Sequence, residues 1–193
     1  MTRGLVLTHG AGANSKTPLL IAVDEAFRAA GYQVMRIDMA FRQRRPFGPP
    51  SPATAAQDRE SLREAVARMR ELVEGPVVLG GHSYGGRQAT MLAAEEPDVA
   101  DALLLLSYPL HPPNRPDKPR TDHFPALRTP SLFVHGAKDP FGTIEEMRAA
   151  LETIPATKEL IALDGLGHDL ERGRFDLARL PGLLAALQPE HHA

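Results

Sequence analysis

A serine between glycines, an aspartate and a histidine stand in this chain where nucleophilic chemistry would need them. Ser83 lies in Leu79-Gly80-Gly81-His82-Ser83-Tyr84-Gly85-Gly86, with an apolar run from Val77 to Leu79 before it and a helix-like segment from Arg87 to Glu95 after it. A serine at such a junction needs glycine neighbours, because the backbone turns so sharply that a Cβ beside it would clash. The turn also sets the hydroxyl on a helix N-terminus, whose partial positive charge favours developing anions. Gly-x-Ser-x-Gly alone is common in glycine-rich turns, so the remaining parts must be found elsewhere. A hydroxyl is a poor nucleophile until a base removes its proton; imidazole titrates near neutrality, and a carboxylate fixes the ring's tautomer and stabilises the imidazolium. Asp139, in Ala137-Lys138-Asp139-Pro140, and His168, in Gly165-Leu166-Gly167-His168, supply acid and base. Singly, Asp-Pro is an ordinary turn initiator and His168 an ordinary loop histidine; the order Ser, acid, His makes them a constellation. An oxyanion hole needs two convergent N–H groups. Tyr84, the residue after the nucleophile, is one candidate, and Ala11 of His9-Gly10-Ala11-Gly12 is the other.

These residues can meet only if the elements between them place all three on one edge. Leu5-Val6-Leu7 reads as a buried strand, followed by a loop and a helix opened by Pro18, with Leu19, Ala22, Val23, Ala26, Phe27 and Ala30 at helical spacing and Gly31 at its end. Val34 to Ile37 is a second strand ending at Asp38, and Met39 to Pro52 a long loop without periodicity. Leu62, Ala65, Val66, Met69, Leu72 and Val73 mark one helix face, stopped by Gly75-Pro76. The strand before Ser83 is the third, Ala102 to Leu106 the fourth, Ser131 to His135 the fifth and Leu160 to Leu163 the sixth. Between the fourth and fifth, Ser107 to Pro130 is dense in proline and reads as a functional loop rather than a core element. Thr143 and Glu146 form a capping box for a helix carrying Met147, Leu151 and Ile154, and Leu180 to Leu187 is a last helix. The alternation of strand and helix predicts an α/β fold, doubly wound, with a mainly parallel six-stranded sheet and helices on both faces. The strands' carboxyl ends then share the edge where ligands bind. Ser83 follows the third strand, Asp139 the fifth and His168 the sixth.

With 193 residues the chain reads as one domain, 1–193. A net charge of -2 and a pI near 6.4 offer no electrostatic case for nucleic acid or a membrane surface. Absent cysteine excludes disulfides and thiolate chemistry and fits a cytoplasmic protein. The first apolar run is too short for a signal peptide, and no run has transmembrane length. His111, His123 and His135 lack metal-ligand spacing, so neither metal nor cofactor is expected, and His191-His192 reads as a tail. His9 is expected to hold the oxyanion loop, and His82 to orient the elbow or line the pocket.

At the level of motifs the chain resembles the α/β-hydrolases, and more narrowly the short, capless dienelactone-hydrolase-like proteins that include the testis-expressed protein 30 relatives. The resemblance runs nearly end to end. It rests on Thr8-His9-Gly10-Ala11-Gly12, Gly81-His82-Ser83-Tyr84-Gly85-Gly86, the Tyr108-Pro109-Leu110-His111-Pro112-Pro113 loop and His135-Gly136-Ala137-Lys138-Asp139-Pro140-Phe141-Gly142. It implies Ser83 as nucleophile, Asp139 as acid and His168 as base. It also implies a sheet lacking the first two of the usual eight strands, ordered 4-3-5-6-7-8 in family labels, and no cap domain. A basic residue often precedes the serine in that group, whereas this chain has His82 there, so the resemblance implies no role for that position.

The expected function is a serine esterase-like hydrolase acting on a small carboxylic ester, lactone or thioester, with a small molecule as partner. Arg42 and Arg44 in the 39–52 loop, and Arg87 one turn beyond the nucleophile, are candidate contacts for an anionic substrate, with His82 and Tyr108 beside them. Solvated surface arginines are the simpler reading of the first three. Two alternatives stand against the enzyme. One is a non-enzymatic interaction protein on a hydrolase scaffold. The other is a nucleotide site at Gly10-Ala11-Gly12-Ala13-Asn14-Ser15-Lys16-Thr17, which nearly matches a phosphate-binding loop but has Ser15 where glycine should precede the lysine.

Overall fold

A computed structural model describes residues 1–170 and 175–187; the predicted tail at His191 and His192 lies outside the described residues. Among the described residues six parallel strands form one sheet: β1 (Arg3–Thr8), β2 (Tyr32–Ile37), β3 (Val77–His82), β4 (Ala102–Leu106), β5 (Ser131–Gly136) and β6 (Lys158–Leu163). Their order is β2-β1-β3-β4-β5-β6, which is the expected 4-3-5-6-7-8. The helices are α1 (Pro18–Ala29), α2 (Ala40–Arg44), α3 (Ala55–Leu72), α4 (Tyr84–Glu95), α5 (Ile144–Leu151) and α6 (Leu180–Leu187).

The inner strands β1, β3, β4 and β5 carry apolar runs because both of their faces are covered, whereas the edge strands β2 and β6 are only partly buried. Leu5, Leu7, Val78, Leu104, Leu106, Leu132 and Val134 pack with Leu20, Val23 and Phe27 of α1 and Leu180 and Leu184 of α6. The alternate residues Val6, Leu79, Leu103, Leu105 and Phe133 face Leu62, Val66 and Met69 of α3, Ala89 and Leu92 of α4, and Met147 and Leu151 of α5. The Thr143–Glu146 capping box is present: the Glu146 N–H donates to Thr143 Oγ1 at 3.1 Å and the Thr143 N–H to Glu146 Oε2 at 2.8 Å.

Three expectations need correction. The 39–52 loop holds the short helix α2, whose Phe41 and Arg42 are buried; five residues are too few to show a period. The 107–130 stretch does contribute to the core: Tyr108, Leu110, Phe124 and Leu127 are buried, and Tyr108, Phe124 and Phe133 pack ring against ring. Leu72 is exposed, because the packed face of α3 passes from Met69 to Val73 at its last turn.

Candidate active site

The elbow begins where β3 ends. Ser83 takes φ 50° and ψ -117°, a conformation that L residues rarely adopt, and its N–H donates to the Leu106 carbonyl of β4 at 2.8 Å. Neighbouring backbone can approach because side chains are missing. A Cβ on Gly85 would lie 2.6 Å from the His9 carbonyl oxygen, so glycine there lets the loop after β1 close on α4.

From this turn Ser83 Oγ reaches His168 Nε2 at 2.8 Å, and His168 Nδ1 lies 2.8 Å from Asp139 Oδ2. The carboxylate accepts the Nδ1–H, which leaves the Nε2 lone pair facing the serine O–H. Asp139 is buried; its other oxygen accepts the Phe141 N–H at 2.9 Å, so both oxygens have donors. Gly136 permits this meeting too. A Cβ there would sit 2.5 Å from the Leu166 oxygen, so glycine lets the histidine loop lie against the end of β5.

Two residues hold the histidine that the sequence did not tie to it. The Phe141 ring lies over the imidazole, centroids 4.3 Å apart and planes tilted 31°. His82 donates Nε2–H to the His168 carbonyl at 2.9 Å, and burial lowers its pKa, which keeps it neutral. An aromatic two residues after the acid and a histidine beside the serine were the visible signals. Neither has a periodicity to reveal its partner.

The loop after β1 is held from behind. His9, fully buried and with a pKa lowered chiefly by desolvation, donates Nδ1–H to the Gly10 carbonyl at 2.8 Å and accepts the Met39 N–H at 3.3 Å. A trans peptide points its C=O and N–H in opposite directions. Holding the Gly10 oxygen therefore turns the Ala11 N–H the other way. Among the described residues neither the Ala11 nor the Tyr84 N–H donates a hydrogen bond.

Arg42 is not on the surface and does not face a substrate, contrary to both readings of its sequence. It is 6 % exposed, and its guanidinium donates to Ala13 O at 2.7 Å, Ala11 O at 2.9 Å, Arg45 O at 3.1 Å and Gly48 O at 3.1 Å. It joins the loop after β1 to the 45–48 segment. Arg44 is exposed and hydrogen-bonds Ala40 O and the Gln57 side chain. Tyr108 is buried, and its hydroxyl donates to Arg120 O at 2.7 Å, so it is a core residue rather than a substrate contact. Arg87 stays half-buried on α4, its Nε buried without an acceptor among the described residues. Asp58, fully buried, was missed: it accepts the Phe41 N–H at 2.9 Å and the Tyr84 hydroxyl at 2.8 Å, tying α3 to the elbow and α2. Burial and this carboxylate raise the Tyr84 hydroxyl's pKa.

A hollow of about 300 Å³ is lined by Ala13, Thr17, Pro18, Leu19, His82, Asp169 and Leu170, so it adjoins the residues next to Ser83 and His168 in the chain. A larger one, about 550 Å³, opens at the opposite edge around Pro130, Pro155 and Leu187, where Arg128 is the one ionisable side chain among the described residues of its wall. The first reaches the elbow through His82. The phosphate-loop reading meets an obstacle here. The Ser15 N–H donates to Asp38 Oδ1 at 2.6 Å and the Lys16 N–H to Asn14 Oδ1 at 2.8 Å, so amides a phosphate would need already have acceptors, one of them an anion.

Known proteins share this architecture. Residues 1–180 match the family described as alpha/beta hydrolase domain. Among solved structures, the dienelactone hydrolase of Anabaena variabilis is 22% identical, covering 96% of this chain and 85% of its own, with a TM-score of 0.71. Est1E of Butyrivibrio proteoclasticus, solved with ferulic acid bound, is 18% identical, covering 95% of this chain and 90% of its own, with a TM-score of 0.73. An alpha-beta serine hydrolase homologue from Coxiella burnetii is 18% identical over 96% of this chain and 84% of its own, with a TM-score of 0.71. At such identities the likeness is one of fold.

Proposed function

We propose that this chain, which belongs to the alpha/beta hydrolase family, cleaves a small carboxylic ester, lactone or thioester through an acyl-enzyme on Ser83. One observation carries the reading: the unbroken chain from Ser83 Oγ through His168 to the buried Asp139 carboxylate, 2.8 Å at each link. His168 Nε2 takes the serine proton as Oγ attacks the carbonyl carbon. The oxygen that becomes negative is held by the Ala11 N–H of the loop after β1 and the Tyr84 N–H at the head of α4, and Asp139 stabilises the imidazolium. Collapse breaks the bond to the leaving group, which takes the proton from His168. Water, deprotonated by His168, then attacks the acyl carbon and releases the acid and free Ser83. General-base assistance of this kind is worth about a hundred- to ten-thousand-fold, and each oxyanion donor roughly a hundredfold or more.

The 300 Å³ hollow sits at the small end of ligand pockets and has His82, next to the nucleophile, in its wall. That supports a small or short-chain group on the α1 side of the sheet edge. The test is a panel of 4-nitrophenyl esters of increasing acyl length. We expect turnover that falls off as the acyl group outgrows the hollow and disappears in folded Ser83→Ala. Turnover that persists in Ser83→Ala would refute the assignment.

A further inference from the structure

We propose that Arg87 and Arg120 form an anion subsite that selects substrates carrying a carboxylate or phosphate group; the inference rests on the hydrolase reading above and specifies its substrate class. Arg87 belongs to the nucleophile's own helix, and its N–H donates to the Ser83 carbonyl at 3.0 Å. Four residues advance an α-helix by about 6 Å, and helical side chains lean back toward the N-terminus. The guanidinium therefore returns toward the edge where Ser83 stands.

Arg120 comes to the same place from the 107–130 stretch. In the sheet Leu106 is the register partner of His82, so Tyr108 stands beside the elbow. Its hydroxyl donates to Arg120 O at 2.7 Å, and the Arg120 N–H donates to Leu110 O at 2.8 Å, which fixes the arginine's backbone against the end of β4. His123 closes the cluster, its Nε2 lying 2.8 Å from Thr90 Oγ1 one turn along α4 from Arg87.

Among the described residues this cluster has two guanidinium groups and no carboxylate paired with either. The Arg87 Nε–H is buried with no partner, and among the described residues neither guanidinium forms an ion pair or hydrogen bond. Most other partly buried arginines here have partners: Arg36 has Asp24, Arg63 has Glu96, Arg59 has Glu95 and Gln88, and Arg42 has four carbonyls. The two charges also act on each other. Burial, then the Arg87 charge, lowers the Arg120 pKa, and burial together with Arg87 lowers that of His123 to about 4, leaving His123 neutral. Asp122 is the carboxylate nearest in effect, yet it is exposed and pairs with neither arginine. An unpaired, partly desolvated guanidinium is costly unless an anion completes it. Two planar forks, one of them with a buried and unpartnered N–H, suit the oxygens of a carboxylate or phosphate.

The 300 Å³ hollow lies on the α1 side of the sheet edge, and α4, which carries Arg87, packs on the other face. A substrate reaching both would place an uncharged portion under His82 and a charged one against Arg87.

The experiment has two arms. In the first, kcat/KM is measured for 4-nitrophenyl hemiglutarate and for its neutral methyl-capped counterpart, with wild type, Arg87→Gln, Arg120→Gln and the charge-retaining Arg87→Lys. The anionic-to-neutral ratio should fall at least tenfold in each glutamine variant and be partly kept in Arg87→Lys. In the second, the thermal midpoint is followed against succinate and against inorganic phosphate, each at constant ionic strength. At least one anion should give a saturable rise in wild type that Arg87→Gln abolishes; which one does so tells carboxylate from phosphate. Ester turnover with an unmoved ratio overturns the subsite while leaving the hydrolase intact. A saturable, Arg87-dependent shift in a protein that cleaves neither ester keeps the subsite and refutes the hydrolase. No saturable shift with either anion, or one retained in Arg87→Gln, overturns the subsite in either case. Arg120→Gln, farther from the elbow in sequence, serves if Arg87→Gln does not fold.

Discussion

Replacing Arg42 tests whether the loop after β1 must be held for the oxyanion hole to work. In Arg42→Ala the oxygens of Ala11, Ala13, Arg45 and Gly48 all lose a charged donor at once. His9 still holds the Gly10 oxygen, so the Ala11 N–H keeps one of its two restraints. Complete loss of an oxyanion donor typically costs about a hundred- to a thousandfold in kcat. Partial loosening should therefore lower kcat about ten- to a hundredfold, or roughly 1.4–2.7 kcal/mol of barrier, with KM within about threefold. Stability should fall too, by roughly 2–4 kcal/mol, since hydrogen bonds to a charged group are worth about 1.5–3 kcal/mol each and do not add fully. Arg42→Lys keeps the charge but cannot fork across four carbonyls, so it should lie between the two. The assay is initial-rate kinetics on a neutral 4-nitrophenyl ester, well below the midpoint of the least stable variant. A kcat within twofold of wild type in folded Arg42→Ala would refute the reasoning. So would an effect confined to KM for anionic esters, which is what a substrate-binding Arg42 would produce.

Ser83 holds φ 50° with a side chain, and such backbone strain costs about 1–3 kcal/mol. Ser83→Gly and Ser83→Ala both lose the hydroxyl's bond to His168, so comparing them isolates the strain: the glycine variant should melt about 2–6 °C higher, with equal midpoints as the contradicting result. The pKa of His123 is lowered from 6.5 to about 4, first by burial and then by Arg87, and those of His9, His82 and His135 are lowered as well. Below pH 6.5 the unfolded chain binds protons that the folded one refuses, so stability is full above that pH and declines as pH falls toward 4. His123→Gln should make this decline shallower by about 2 kcal/mol across the interval; parallel midpoint-versus-pH curves for variant and wild type would rule the effect out.

Much of this arrangement is legible in sequence because it rests on local or repeated signals. Val78, Leu104, Leu132 and their neighbours are unbroken apolar runs, since strands covered on both faces have no solvent side to mark. Each of Ser83, Asp139 and His168 comes just after such a run, and parallel strands deliver the residues at their carboxyl ends to one edge. The less legible parts depend on contacts far apart in sequence and carry no period. Arg42 lies 31 residues from the Ala11 carbonyl it holds, and nothing in an arginine-rich loop separates a buried clamp from a solvated side chain. Tyr108 and Phe124 lie among prolines that suggest a surface loop, although their rings join the core. Asp58 sits on a helix with eight charged residues among its eighteen, and burial alone distinguishes it from the others.

The most direct test is to treat the folded protein with a fluorophosphonate and locate the adduct by peptide mass spectrometry. Oγ attack on phosphorus should expel fluoride and leave one phosphonyl group on Ser83, absent in Ser83→Ala and formed at least a hundredfold more slowly in His168→Ala. A folded wild-type protein that stays unmodified, or that carries the adduct on another residue, would contradict Ser83 as an activated nucleophile.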